Sequence, residues 1–257
     1  MGRRTSYAPG TFCAVDLATS DPAGAAEFYG PLFGWESREV QLGYTTLVLR
    51  GDAVAGLFPR PEQQRSAGVP PHWFSYVAVA SADDTAARAR DLGGEVHAGP
   101  HDVSDAGRMA VITDPTGAFF DAWQAKDFAG AARVNDPGCL TMNELATSDT
   151  ERAAAFYSGL FGWRITELDT GGGLRYWSIG HDGAARGLNG GMREAGPAPS
   201  SWTPYFTVES TDDACAQAER SGGGVLTGPM DIPSGRIAAL RDPQGAVFAI
   251  FEGEVDN

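Results

Sequence analysis

The residue types that most often hold metals or attack substrates are few in this chain of 257 residues. Four histidines are present, His72, His97, His101 and His181. His97 and His101 stand four apart, but they flank a Gly-Pro turn, so they do not form the helical pair of a zinc motif. His181 sits in "GHDG" and His72 in a Pro-rich loop just before a strand; His97, His101 and His181 read as surface or loop histidines, with His72 the exception. Cys13, Cys139 and Cys215 are an odd number with no C-x-x-C spacing, which suggests neither a disulfide framework nor a zinc site and fits a reducing cytoplasm. The "GGG" runs at Gly171 and Gly222 lack a strand-linked G-x-G-x-x-G and read as turn glycines, so no nucleotide cofactor is called for. "MGRRTS" formally matches a myristoylation pattern and a twin arginine, yet "YAPGTF" supplies no apolar region behind it.

What remains is a chain that repeats itself. "LATSDPAGAAEFYGPLFGW", from Leu17 to Trp35, returns as "LATSDTERAAAFYSGLFGW", from Leu145 to Trp163, with 13 of 19 letters unchanged. The repeat makes two domains of ordinary size rather than one large one. Apolar content of 42% with 20% charged residues suits a compact protein with a core. A net charge of -14 would repel a phosphate backbone, which argues against a nucleic-acid partner, and no apolar run reaches the ~20 residues of a membrane span.

The elements follow from local signals. Asp21 and Asp149 are helix N-caps, and Pro22 follows the first at a tolerated position. Phe28, Tyr29, Leu32 and Phe33, echoed by Phe156, Tyr157, Leu160 and Phe161, share one helical face; Gly34 and Gly162 end the helices. "CAVDLAT" and "TMNELAT" are strands before these helices, and about three strands follow, ending near Pro59 and Met192. The pattern restarts at "WFSYVAVASADD" and "WTPYFTVESTDD" and closes on strands around "DPTGAFFDAWQ" and "DPQGAVFAIFE". Strand, helix and three strands are thus written four times. "PRPEQQRSAGVPP" and "MREAGPAPSS" read as links within modules, and Lys126 to Asp136 as the connector between them. The predicted class is α+β: tandem modules over 1–125 and 137–257, linked by 126–136, each of two βαβββ units curled into a mixed sheet with helices outside.

This arrangement, with "SD…FY…LFGW" and "DPTG"/"DPQG", resembles the vicinal oxygen chelate superfamily of glyoxalases, extradiol dioxygenases and bleomycin-resistance proteins, and within it the two-module actinobacterial glyoxalase-like or hydroxylase branch. The resemblance covers about Phe12 to Glu252. It implies a cup-shaped sheet with the ligand inside and, as the usual chemistry, a divalent ion held by His, His and Glu. At the matching positions this chain has Ala14, Phe74 and Asp121 in the first module and Met142, Thr203 and Ala249 in the second. Only Asp121 can bind a metal, so the expectation is a metal-independent protein without a cofactor.

Alternation along strands extends these positions to a lining. Phe74 brings Tyr76 and Ala78 inward, Ala14 brings Asp16, and Asp121 brings Phe119 and Trp123; the second cup has Met142, Glu144, Thr203, Tyr205, Val247 and Phe251. His72 borders the first cup. Buried carboxylates without partners become acids or bases near neutral pH, whereas an arginine neighbour holds them ionised; Arg50, Arg108 and Arg236 lie in or beside strands, and an ion pair is the expected outcome.

The resemblance then implies a lyase, isomerase or hydroxylase-like catalyst for a hydrophobic, aromatic or polyketide-like molecule of secondary metabolism. Asp121 would be general acid or base, Tyr76 would orient or donate, and Asp16 would polarise a second oxygen. Phe74, Phe119, Trp123, His72, Glu144 and Tyr205 would bind substrate. The alternative is a binding protein that sequesters a drug without chemistry. Either form would be a monomer or homodimer.

Overall fold

The computed structural model describes residues 2–41, 43–170, 175–181, 188–196 and 198–254; the glycines at 171–173 lie outside the described residues. Each module is one eight-stranded mixed sheet. In the first, β1 (Phe12–Thr19), helix α1 (Pro22–Phe33), β2 (Glu36–Gln41), β3 (Tyr44–Leu49) and β4 (Asp52–Pro59) form one unit. The second unit is β5 (His72–Ala78), helix α3 (Ala82–Asp91), β6 (Glu95–Val103), β7 (Gly107–Thr113) and β8 (Phe119–Ala125). The strand order is β2-β3-β4-β1-β5-β8-β7-β6, with β1 and β5 antiparallel at the centre and β1/β4 and β5/β8 parallel.

The second module repeats this with β9 (Leu140–Thr147), α4 (Thr150–Phe161), β10 (Arg164–Leu168), β11 (Tyr176–Gly180), β12 (Leu188–Glu194), β13 (Ser201–Thr207), α5 (Thr211–Arg220), β14 (Gly224–Ile232), β15 (Gly235–Arg241) and β16 (Val247–Gly253), in the equivalent order. The α+β duplicated architecture is as the sequence implies. Among the described residues no helix is long and apolar enough to cross a membrane.

The caps behave as their chemistry requires. Asp21 Oδ1 accepts from the Gly24 amide and Asp149 Oδ1 from the Arg152 amide, each at 3.0 Å, while Gly34 and Gly162 close the helices at φ of 73° and 71°. The link after β4 is more ordered than its Pro and Gly content suggests, because Glu62–Ser66 winds into a short helix, α2, stapled by Ser66 to Glu62 at 3.0 Å. His97 and His101 also differ from the loop reading: both lie in β6, whose register shifts at two irregularities let it pass the Gly-Pro pair.

The two modules do not have separate cores. Helix α1 packs beside α5 and α3 beside α4, so each of these four helices leans on a helix of the other module. One core joins Leu17, Phe28, Tyr29 and Phe33 of the first module to Phe206, Ala218 and Phe248 of the second. Its counterpart joins Val77, Ile112 and Phe120 to Phe156, Tyr157 and Trp202. The convex faces are therefore buried against each other and the concave faces look outward.

The connector is part of this packing. Arg133 pairs with Asp52 and Asp136, Tyr7 Oη donates to the Ala131 carbonyl at 2.6 Å, and Phe128 rests on Trp123 with ring centroids 6.0 Å apart.

Candidate functional site

Asp16 stands on β1, beside Gly56 of β4 and Phe74 of β5 in register. It faces the concave side, out of phase with Val15 and Leu17, which enter the core. Its Oδ1 accepts from Tyr44 Oη and its Oδ2 from Tyr76 Oη, both at 3.0 Å. Gly56 makes this possible, since a Cβ there would overlap the Tyr44 hydroxyl and Asp16 Oδ1. Burial pushes the Asp16 carboxyl up to about 6, against the opposing pull of the two hydroxyls and the Gly56 amide.

Asp121 lies across β5, in register with Tyr76. It is 1% exposed, and neither carboxyl oxygen has a hydrogen-bond partner. Burial, and then the neighbouring charge of Asp16, push its pKa well above the ordinary carboxylate range. An unpartnered buried carboxylate is costly, so burial favours the neutral acid.

Aromatic side chains surround the two acids. Tyr44, Phe58, Phe74 and His72 run as a continuous strip, with successive ring centroids 6.4, 5.9 and 4.6 Å apart. Deeper in, Trp123 meets Tyr76 edge to face at 6.1 Å and donates to the Phe128 carbonyl at 2.9 Å. Tyr7, Met109 and Phe128 pack on this deep cluster. Phe119 is on the predicted strand face but at its open end: it is 49% exposed, against His97 of β6. His72 donates through Nδ1 to the Pro70 carbonyl at 2.8 Å, and burial lowers its pKa.

The expected arginine neighbours are elsewhere. Arg108 binds Asp83 and Asp102, and Arg236 binds Asp212 and Asp231, all toward exposed carboxylates. Arg50 occupies the β3–β4 turn with φ of 53°. Among the described residues no Arg or Lys contacts Asp16 or Asp121, which corrects the ion pair expected from sequence.

The glyoxalase/bleomycin resistance protein/dioxygenase superfamily model matches this chain twice, over residues 12–121 and 140–250. The chain belongs to that superfamily. A Mycobacterium tuberculosis protein named "Putative glyoxylase CFP32" is 39% identical over 259 residues, covering 98% of both chains. Anthracycline biosynthesis protein DnrV of Streptomyces peucetius is 35% identical over 269 residues, covering 96% of this chain and 95% of the relative. Among solved structures, the Mn(II)-bound glyoxalase of Novosphingobium aromaticivorans superposes with TM-score 0.69 at 15% identity, over 100% of this chain and 85% of that one. The 2,3-dioxygenase LapB of Pseudomonas sp. KL28 gives 0.68 at 13% identity, over 99% and 95%. These likenesses are of fold.

Against the superfamily's metal chemistry, the donor set here does not fit. Ala14 and Phe74 cannot ligate, and the described residues contain no cluster of three His, Cys, Asp or Glu able to hold an ion.

The second superfamily module keeps half of the first cup's network and changes the rest. Glu144 replaces Asp16, accepts from Tyr205 Oη at 3.0 Å and is also bonded by the Tyr176 hydroxyl, which passes over Gly191 as Tyr44 passes over Gly56. Here, however, Arg193 Nε reaches Glu144 Oε1 at 2.8 Å, and Ala249 stands where the first cup has Asp121. Met142 and Thr203 are half-buried, Phe251 is buried, and Val247, like Phe119, is exposed at its strand's start. Sequence reading missed Tyr44, Tyr176, Phe58 and Arg193. β12 continues past Met192 to Glu194, and its register with β9 is what turns Arg193 toward Glu144.

Proposed function

We propose that this chain is a metal-independent enzyme of secondary metabolism that tautomerises an aromatic, carbonyl-bearing small molecule in its first cup. The observation that carries the reading is Asp121: a buried carboxyl group with both oxygens unpartnered, beside an aromatic wall. A neutral carboxylic acid has one donor and one acceptor oxygen. Its O–H gives a proton to a substrate carbonyl oxygen while its other oxygen takes a proton from the adjacent carbon, so the acid is regenerated in the same step and no charge is created. Burial favours the neutral form that this requires.

Tyr76 is a positioning residue in this scheme, because its hydroxyl proton is committed to Asp16. Asp16 then holds a second polar group of the substrate rather than polarising a carbonyl. Phe74, Trp123 and His72 form the walls, and Phe119 lies at the mouth. Glu144 and Tyr205 belong to a supporting cup whose carboxylate is neutralised by Arg193. The substrate class is supported by the aromatic lining and by relatives named for anthracycline biosynthesis. Three buried, free thiols support a reducing, cytoplasmic setting.

The test is turnover of a panel of aromatic polyketide carbonyl compounds by the parent and by Asp121→Asn, with elemental analysis of the purified parent. Loss of turnover by at least about 100-fold in the variant is expected, as for removal of a general acid or base. Unchanged turnover, or a stoichiometric divalent ion, overturns the reading. The alternative of a sequestering protein is favoured if the parent binds the panel, Asp121→Asn binds equally well, and neither converts it.

A further inference from the structure

The two cups hold homologous carboxylates in the same tyrosine cradle, yet they treat the negative charge in opposite ways. Glu144 accepts from two tyrosine hydroxyls and is paired with Arg193 at 2.8 Å. Asp16 accepts from two tyrosine hydroxyls and, among the described residues, has no such cation. The strand register explains the difference. Gly56 lies beside Asp16 and Gly191 beside Glu144, so two residues further along the same face come Phe58 in β4 and Arg193 in β12. The first cup has put an aromatic ring where the second has its guanidinium.

That ring is one of a set. Tyr44, Phe58 and Phe74 are stacked in sequence at interplanar angles of 17° and 28°, and His72 closes the strip. Asp16 and all four of these rings are half-buried, so the strip and the carboxylate share the open part of the cup. Across β5 from Asp16, Asp121 is almost wholly buried and both of its carboxyl oxygens are unpartnered. Aromatic faces around an uncompensated carboxylate are a recognised way to bind a desolvated ammonium group: the ring quadrupoles and the anion attract it, and Asp16 supplies charge-assisted hydrogen bonds. A neutral ligand would cover the Asp16 carboxylate without pairing its charge, and an anionic one would be repelled.

We infer that the ligand of the first cup carries a protonated amine, bound by Asp16 and the Tyr44–Phe58–Phe74 strip in place of the arginine that the second cup provides for itself. The inference rests on the first cup being the working site and names the second polar group that Asp16 holds. It makes the substrate an aromatic amine-bearing compound, with its carbonyl at Asp121 and its ammonium at Asp16.

The experiment is calorimetric titration of the full chain with two matched probes, 2-naphthylmethylamine and 2-naphthylmethanol, which share a ring and differ in charge. The amine is expected to bind at least about 10-fold more tightly than the alcohol, and Phe58→Arg, which copies the residue of the equivalent strand position, should cut that preference to about 2-fold or less. Thermal unfolding of Phe58→Arg establishes that it is folded, and Asp16→Asn provides a second route to the same loss. Equal binding of the two probes by the parent overturns the inference. So does an undiminished preference in both variants, or displacement of the amine by Mn²⁺ alone, which would return the carboxylates to metal binding. Asp121→Asn separates this inference from the proposed reaction: it should abolish turnover and keep the amine preference. Retained turnover would remove the reaction while leaving the amine site standing.

Discussion

Tyr29 in helix α1 of the first module donates its hydroxyl to Asp242 Oδ2 in the second module, 3.2 Å away, and at the same time accepts from Trp73 Nε1 at 3.2 Å. The mirror arrangement links Trp202 to Tyr157 at 2.8 Å and Tyr157 to Asp114. The "FY" of each helix and the aspartate of each "DPxG" turn are thus halves of one buried device that ties the modules together. The repeat's most visible letters mark the joint between cups rather than their interiors. Tyr29→Phe removes one hydroxyl and leaves both Trp73 Nε1 and Asp242 Oδ2 without it, which should cost about 1–3 kcal/mol. Urea unfolding should show Tyr29→Phe and Tyr157→Phe each lowering the midpoint, and the double variant losing close to the sum, since the two devices share no partner.

Stability should fall as pH rises through the acid range because of the first cup. A carboxyl whose native pKa lies above its unfolded value binds more protons in the native state, so its contribution is complete below the unfolded value of about 4 and is lost as pH passes through the native one. For Asp16 that window runs up to about 6; for Asp121 it extends to that group's own raised value. Asp121→Asn removes one titration. Between pH 5 and pH 8 the stability difference should move in favour of the variant, the direction set by the raised native-state value of Asp121. Parallel curves for parent and variant would show that Asp121 does not titrate in this range.

Gly56 is where backbone geometry sets side-chain chemistry. Alanine there would drive its Cβ into the Tyr44 hydroxyl and Asp16 Oδ1 and break their hydrogen bond. Gly56→Ala is expected to cost about 1–3 kcal/mol of stability, as overpacking does, and to weaken ligand binding in the first cup. Gly191→Ala should give a similar stability loss, through Tyr176, with binding in the first cup unchanged. Denaturant titration and probe calorimetry on the same preparations separate the two effects.

Much of this was legible in the letters, and the part that was not has a common cause. The caps at Asp21 and Asp149, the strand phase that turns Asp16, Tyr76, Asp121 and Trp123 to one side, and the fourfold unit all follow from local rules of capping and alternation. Tyr44, Phe58 and Arg193 follow from none of these. They lie on β3, β4 and β12, and which of their residues meet Asp16 or Glu144 depends on register across two or three strands, which irregularities at Leu47/Val48 and Ile179/Gly180 reset. The arginines at 50, 108 and 236 were reasonable neighbours by strand position. The structure turns Arg108 and Arg236 to helix N-terminal aspartates Asp83 and Asp212 instead.

The second cup makes its own prediction. Glu144 is 6% exposed and held by Arg193, so truncating the arginine leaves a buried acid with only tyrosine hydroxyls. Because the Arg193 side chain is itself 39% exposed, the pair is partly screened, and Arg193→Leu should cost about 1–2 kcal/mol rather than the 3–5 kcal/mol of a fully buried pair. Arg193→Leu combined with Glu144→Gln should recover most of that loss. A double variant no more stable than the single one would mean that Arg193 acts through packing alone.

The crossed cores bear on whether one module can stand by itself. A fragment ending at Asp136 keeps the first sheet but loses Phe206, Ala218 and Phe248 from one core and Phe156, Tyr157 and Trp202 from the other. Phe28, Phe33, Ile112 and Phe120 would then face water over an area that a lone sheet cannot afford. Because the missing module has the same shape as the one retained, the fragment's natural recourse is a second copy of itself. Light scattering should find residues 1–136 as a dimer at micromolar concentration, and dilution should unfold it and dissociate it in one transition. A folded monomer would show that each sheet and its helices hold their convex face without the other, and that the shared cores add little.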